Sequence, residues 1–285
     1  MDTDAGGESI GTGAGVEGAK IVVPIPVADA GDPRLDPFRD LKDRQARLTG
    51  TIVVDSERVV RRMLARGHDL TGLLATPEGL RRLERKHLLR QRIASADGPF
   101  FVAGREVMES VIGFRLHHGM VALGRRPADQ PAAQFGPRIV ILNGVNNAEN
   151  VGSIVRSCHA FGVDTLVVDR ASCSPWVRRA IRVSMGSVFA LGIHHCADVT
   201  PILEDLSRRG YPLWGAANDP QARVPRPGAA PPEWALIIGS EATGLSPGVR
   251  PLCRQLLRIP VREDIDSLNA GVAAGILLWA LTGGA

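Results

Sequence analysis

The sequence predicts an α/β protein of two units, the second a parallel sheet with helices on both faces. Three observations predict it. From Arg138 onward, apolar runs of strand length alternate with stretches of helical periodicity. Those runs are continuously apolar, as strands covered on both faces must be. A polar, Pro-rich and aperiodic stretch from Arg125 to Pro137 separates them from a smaller α/β pattern. With 285 residues and 44% hydrophobic content the chain can bury a full core, and its length suits two units.

Residues 1–32 are rich in Gly, Ala and Asp, show no periodic apolar pattern beyond Ile21 to Val27, and read as a mostly disordered leader. Gly11-Thr-Gly-Ala-Gly15 imitates a nucleotide-binding glycine loop but lacks a strand before it and a helix after it. The first α/β unit spans 33–127. Pro33 to Arg47 reads as helical and Thr51 to Asp55 as a strand; Ser56 can cap a helix carrying Val59, Val60, Met63 and Leu64, closed by Gly67. Leu73 to Ala75, Phe100 to Val102 and Met120 to Leu123 are further strands. Arg81, Arg82, Arg85, Lys86, Arg90 and Arg92 crowd the helix after Pro77, which suits a solvated face and an RNA-facing one equally. His117 and His118 read as loop positions, because no Cys or carboxylate cluster lies near them.

The second unit spans 137–285. Strands are expected at Arg138 to Leu142, Thr165 to Val168, Phe189 to His194, Pro212 to Ala216 and Trp234 to Ile238. Helices are expected at Val151 to Phe161, Pro175 to Val183 and Thr200 to Arg209. The last strand runs out at Pro260 and a charged loop follows; Ser267 is then placed to N-cap an apolar terminal helix. That helix is nonpolar between Asn269 and Thr282, so core or a second subunit must cover its sides. Gly271 and Gly275 leave one stripe without side chains, read as a packing surface. The linker's composition predicts that 137–285 folds when expressed alone.

Composition narrows the function. The net charge is +4 and the pI about 9.2, and among 34 basic residues only Lys20, Lys42 and Lys86 are lysines. The Arg excess fits coding bias as well as it fits phosphate binding, which guanidinium groups suit and which makes nucleic acid a candidate partner. Cys158, Cys173, Cys196 and Cys253 have no CxxC spacing and sit in or beside apolar segments, against both a metal site and a disulfide framework. The expected compartment is therefore reducing. No signal-like segment opens the chain and no apolar run reaches membrane-spanning length, so a cytoplasmic protein is expected.

In a parallel sheet, ligands bind beyond the carboxyl ends of the strands. Three loops there are rich in Gly and polar residues. The first, from Asn143 to Arg156, places Asn150 and Gly152 at the opening of a helix and Arg156 one and a half turns further on, within reach of an anion at the helix N-terminus. The second runs from Gly239 to Pro247 and holds Ser240, Glu241 and Gly244. The third runs from Ile259 to Asn269.

In this order and spacing the three loops resemble the SpoU (TrmH-like) family of SPOUT RNA methyltransferases. Asn150, Gly152 and Arg156 match its first motif, Gly239-Ser-Glu-Ala-Thr-Gly244 its second, and Ile259, Pro260, Ser267, Leu268 and Asn269 its third. The resemblance covers 137–285. More loosely, the first unit resembles the ribosomal-protein-like RNA-binding domain that many members carry. Asn269 is followed by Ala-Gly where many relatives have Val-Ser, which touches no named functional residue.

The resemblance implies what spacing alone does not. It implies a deep trefoil knot, where the alternation by itself predicts an ordinary Rossmann-like sheet. It implies S-adenosylmethionine held through Gly239, Ser240, Gly244, Ile259 and Leu268, and a homodimer with active sites at the subunit interface. The implied reaction is methylation of a ribose 2′-hydroxyl in RNA, ribosomal RNA before tRNA, with no metal and no membrane. Arg156 would be the catalytic residue, with Asn150, Glu241, Ser267 and Asn269 orienting it and the ribose. Antibiotic-resistance enzymes of the family share this layout. Two other classes compete: a non-catalytic RNA-binding protein would not need Arg156, Glu241 and Asn269 together, and a nicotinamide-dependent oxidoreductase would carry GxGxxG after a strand.

Overall fold

A computed structural model describes residues 23–41, 50–68, 70–84, 98–116, 118–265 and 267–283. The glycine run at Gly11 to Gly15, the end of the expected first helix, the stretch from Arg85 to Arg92, and His117 lie outside the described residues.

The first unit is a five-stranded sheet in the order β1-β4-β3-β5-β2. Its strands are β1 (Ile25–Val27), β2 (Thr51–Val54), β3 (Leu70–Ala75), β4 (Phe100–Ala103) and β5 (Met120–Arg125). β5 runs antiparallel to both β2 and β3. Helix α1 (Glu57–Ala65) turns Val59, Val60, Met63 and Leu64 onto one face of the sheet, beside α2 (Pro77–Glu84). Helix α3 (Arg105–Ile112) and a 3-10 turn at Pro33–Phe38 cover the other face.

Two expectations are corrected here. The leader expected over 1–32 contains β1, an edge strand in which Ile25 pairs with Phe101 and Val27 with Ala103. Pro26 suits such an edge, where no ladder donor is required of it. The helix expected from Pro33 ends as a 3-10 turn at Phe38, because Pro37 lies inside it and Arg39 is extended. Leu35 and Phe38 are fully buried and anchor the turn.

The second unit is a six-stranded, wholly parallel sheet in the order β11-β9-β10-β6-β7-β8. Its strands are β6 (Arg138–Asn143), β7 (Thr165–Val168), β8 (Gly192–His195), β9 (Leu213–Ala216), β10 (Trp234–Gly239) and β11 (Gln255–Leu257). Strand alternation divides the core. Val140, Leu142, Leu236 and Ile238 face helices α4 (Ala148–Ala160), α5 (Arg178–Val183) and α7 (Ala270–Thr282). Ile139, Ile141, Ala235 and Ile237 face α6 (Thr200–Arg208). The chain winds outward from β6 to β8 and then returns to place β10 on the opposite side of β6. The carboxyl ends of β6 and β10 are thus the topological switch point, with Gly239 in register with Asn143.

The two units share one core. The cluster under α4 and α7 continues without a break through Ile181, Val188 and Phe189 into Ile52, Val54, Val59 and Met63 of the first unit. Polar contacts close the seam. Asp55, 8% exposed at its side chain, accepts from Arg178 at 2.7 Å and lies 3.7 Å from Arg182, while the Arg178 guanidinium stacks 4.0 Å from the Phe114 ring centre. Arg62 donates to the Met185 carbonyl at 2.6 Å. The Pro-rich stretch is pinned as well, Gln130 N–H to the Ile193 carbonyl at 2.7 Å and Asp129 to His195 at 2.8 Å.

The loop between β9 and β10 reaches the end of the chain's path. Arg223 exchanges backbone hydrogen bonds with Leu256 and Arg258, and Gly228 N–H donates to the Ala280 carbonyl in α7 at 3.0 Å. Among the described residues no helix is long and apolar enough to cross a membrane.

Candidate active site

The site begins where β6 and β10 diverge. Asn143 accepts from Ser246 N–H at 2.8 Å and donates to Asp169 at 3.1 Å; Asp169 in turn accepts from the Gly144 and Ser172 amides. One buried amide thereby ties together the loops after β6, β7 and β10. The β10 loop closes on itself, Ser240 and Gly244 exchanging backbone hydrogen bonds at 3.0 and 2.8 Å, with Gly244 at φ 68. Gly239 is crowded: a Cβ there would stand 2.3 Å from the Gly244 carbonyl carbon.

This tight loop presents Glu241 to the start of α7. Its Oε1 accepts from Asn269 Nδ2 at 2.9 Å and from Ala270 N–H at 3.1 Å. A carboxylate at a helix N-terminus is favoured by the free N–H groups and the helix dipole. The same Asn269 Nδ2 donates to Asn150 Oδ1 at 2.8 Å, while Asn269 Oδ1 accepts from the Gly271 and Val272 amides. Asn269, and not Ser267, is therefore the N-cap of α7. Ser267 is exposed two residues earlier, and its side chain is free to face the cavity.

Asn150 lies in the first turn of α4, which opens at Ala148 under an Asn147 cap and so begins earlier than the expected Val151. It is 5% exposed, and its Nδ2 has no hydrogen-bond partner among the described residues, a donor that a bound group can use. Arg156 stands on the exposed side of α4 and forms no ion pair among the described residues. Gly152 lets α4 approach α5, since a Cβ there would meet Val183 at 2.7 Å. Gly271 lies against Ser153 and Gly275 against Ser157, so the glycine stripe of α7 is a packing surface for α4.

Beside this polar triangle is a cavity of about 350 Å³, within the range of small-molecule sites. Gly239, Ser240, Gly244, Ile259 and Leu268 line it, with Glu241 and Ser267 at its polar side. Asn150, Arg156 and Asn269 are not in its wall. Sequence reasoning missed Ala216 to Asn218 at the end of β9, and Arg250, which Asp219 holds at 2.5 Å. A lone arginine in a Pro-rich loop carries no signal that could have found it. Glu241 and Arg250 are the charged residues of the lining.

Burial pushes the Cys196 and Cys253 thiols up to about 11 and Cys158 higher still, so none is a thiolate at neutral pH. Among the described residues no group of three or more His, Cys, Asp or Glu could hold a metal ion.

Solved structures share the fold that brings these loops together. An rRNA methyltransferase from Sinorhizobium meliloti superposes with a TM-score of 0.76 at 20% identity, over 90% of this chain and 96% of that one. The SpoU methyltransferase AviRb from Streptomyces viridochromogenes, in complex with AdoMet, gives 0.70 at 21% identity over 87% and 96%. At these identities the likeness is one of fold. An uncharacterized tRNA/rRNA methyltransferase of Mycobacterium bovis is 36% identical over 267 residues, 90% of this chain and 91% of its own length. The sequence pattern of the SpoU rRNA Methylase family matches residues 137–279, and the chain belongs to that family.

Proposed function

We propose that the protein transfers a methyl group from S-adenosylmethionine to a ribose 2′-hydroxyl of ribosomal RNA. The observation that carries this reading is the convergence of Asn150, Glu241 and Asn269 beside the cavity that Gly239, Ser240, Gly244, Ile259 and Leu268 line. The apolar walls suit an adenosyl group, and the backbone of the β10 loop, of Ile259 and of Leu268 would supply polar contacts. S-adenosylmethionine brings a methyl group already made electrophilic by its sulfonium.

The protein's residues then align the attacking oxygen and stabilise it as its proton leaves. The Arg156 guanidinium offers donors and no acceptor, so it anchors the target phosphate and stabilises the developing alkoxide. Glu241 Oε1 is occupied by Asn269 and Ala270, which fixes the direction in which Oε2 points. Asn150 Nδ2, buried without a partner, and the Ser267 hydroxyl at the cavity would be the further donors for the ribose. Ribosomal RNA is favoured because the first unit gives a large folded RNA a second surface.

The working form is a homodimer whose interface includes the exposed Val272, Ile276 and Trp279 of α7, which repeat at helical spacing. The second unit's sheet would carry the deep trefoil knot of the family. The decisive variant is Arg156→Ala. Methyl transfer to ribosomal RNA should fall about a hundredfold or more, with S-adenosylmethionine affinity by calorimetry unchanged and the product mapped as a 2′-O-methyl nucleotide. Near-wild-type transfer by Arg156→Ala, or methylation mapped to a base, would overturn the reading.

A further inference from the structure

We propose that the RNA backbone crosses the seam between the two units along helix α1, on Arg58, Arg62 and Arg66, and reaches Arg156 by way of His159. The proposal rests on the RNA-methylating function above and assigns the surface by which substrate arrives.

Helices α1 and α2 each present a set of arginines, and the two sets differ in how their charge is used. On α2, Arg81 pairs with Glu78 at 3.1 Å, and Arg82 pairs with Glu57 at 3.0 Å while also donating to the His118 carbonyl. On α1, Arg61 faces the same Glu57 at 3.7 Å. Arg58, Arg62 and Arg66 are spaced four apart, so they form one edge of the helix, and all three are exposed. Arg58 and Arg66 form no ion pair among the described residues. Arg62 donates to a carbonyl, which orients its guanidinium without neutralising it.

The seam sets this edge beside the active site. Met185 and Gly186 are consecutive left-handed residues at φ 53 and φ 81, an uncommon conformation for methionine. A Cβ on Gly186 would meet Val59 at 3.2 Å and Arg62 at 3.3 Å, so α1 is seated directly on that turn. The turn leads into Ser187–Ala190, whose Val188 and Phe189 share a core with Val155 and Cys158 of α4. On α4, His159 is close enough to Arg66 and Arg62 that, after the effect of its partial burial, their charges hold its titration below the usual histidine range. Arg156 precedes His159 by three residues on the same helix, so the two are surface neighbours.

The neighbouring carboxylates are already occupied. Glu57 serves Arg61 and Arg82, Glu149 serves Arg179, and Asp55 serves Arg178 and Arg182. A row of cations without counter-charges, ending at the residue that meets the target phosphate, has the chemistry of a track for a phosphodiester chain.

The test uses the full chain with Arg58→Glu and Arg66→Glu combined, and Arg81→Glu as the control on α2. Protein-free ribosomal RNA and total tRNA are titrated at several salt concentrations, with S-adenosylmethionine affinity, thermal unfolding and methyl transfer measured alongside. The double variant should bind RNA about tenfold or more weakly, and its log affinity against log salt should flatten by roughly 1.4 to 1.8, two contacts at 0.7 to 0.9 each. Cofactor affinity and unfolding temperature should hold, and the control should bind within about twofold of wild type. Unchanged affinity and slope in the double variant would overturn the track and leave the row to another polyanion, such as an acidic protein. An equal loss in the control would overturn it too, by showing only a general charge effect. If wild type binds RNA but transfers no methyl group, a loss confined to the double variant keeps the track while the proposed reaction falls. If wild type methylates and the double variant matches it in binding, the reaction stands without the track; binding of neither RNA overturns both.

Discussion

Both ends of the Asn269 amide are engaged. Its oxygen caps α7 and its nitrogen bridges Glu241 and Asn150, so one residue couples the start of a helix to the geometry of the site. Two substitutions separate these roles. Asn269→Ala should lower stability by about 1–2 kcal/mol, from the lost cap and the Asn150 oxygen left without its donor. Asn269→Ser keeps a capping oxygen and should recover most of that loss in thermal unfolding. It cannot span Glu241 and Asn150, so methyl transfer should stay down by roughly a hundredfold in both variants, the scale of a small misplacement at the reacting centre. Recovery of activity by serine would show the bridge to be dispensable. At this scale much was legible in the sequence. The polar, Gly-rich loops leaving apolar strands stood out by pattern, while it was their resemblance to the SpoU motifs that named Asn150, Glu241 and Asn269 together. The choice between Ser267 and Asn269 as cap was not legible, because both residue types cap well and they lie two positions apart.

Among the elements, the β10 loop shows most directly how backbone geometry builds the cavity. Gly239 permits the reciprocal Ser240–Gly244 pairing, and any side chain there collides with it. Gly239→Ala should open the loop at a cost of about 1–3 kcal/mol and weaken S-adenosylmethionine binding at least tenfold in calorimetry. Gly248→Ala, in open space nearby, should be neutral in both measurements. Normal cofactor affinity in the Gly239 variant would mean that the loop does not shape the cavity. Strand β8, expected from Phe189, begins only at Gly192 after a 3-10 turn, whereas β6, β7 and β10 were readable because burial on both faces leaves an uninterrupted apolar run. Strand β1 was not: three residues at an edge, one of them Pro26, carry no alternation to detect. Helix α5 was read as starting at Pro175 but begins at Arg178, since Ser174 and Trp176 form a turn before it.

The whole molecule departs furthest from what its sequence suggests. A Pro-rich stretch between two patterns predicts units that fold apart, yet the core runs through both. The pattern could not reveal this, because Ile52, Val59 and Met63 would look the same facing a core of their own unit. The expectation that 137–285 stands alone is accordingly revised. Without the first unit, Phe189 and the α5 surface beside β2 are bared and Arg178 and Arg182 lose Asp55. The fragment should unfold roughly 10 °C or more below the full chain and bind a hydrophobic dye that the full chain does not. Equal unfolding temperatures would show the seam to be marginal for stability.

A seam made of core is also a gauge. Two bodies on a flexible tether could accommodate a range of spacings between a docking phosphate and a target ribose; here the span from α1 to Arg156 is a constant of the molecule. For an RNA lying along that span, fit becomes a matter of length. A strand whose own fold already holds phosphate and ribose at that separation binds without further ordering, while a slack strand must first surrender its freedom. Selection among RNAs can then follow from their shape, before any base is read.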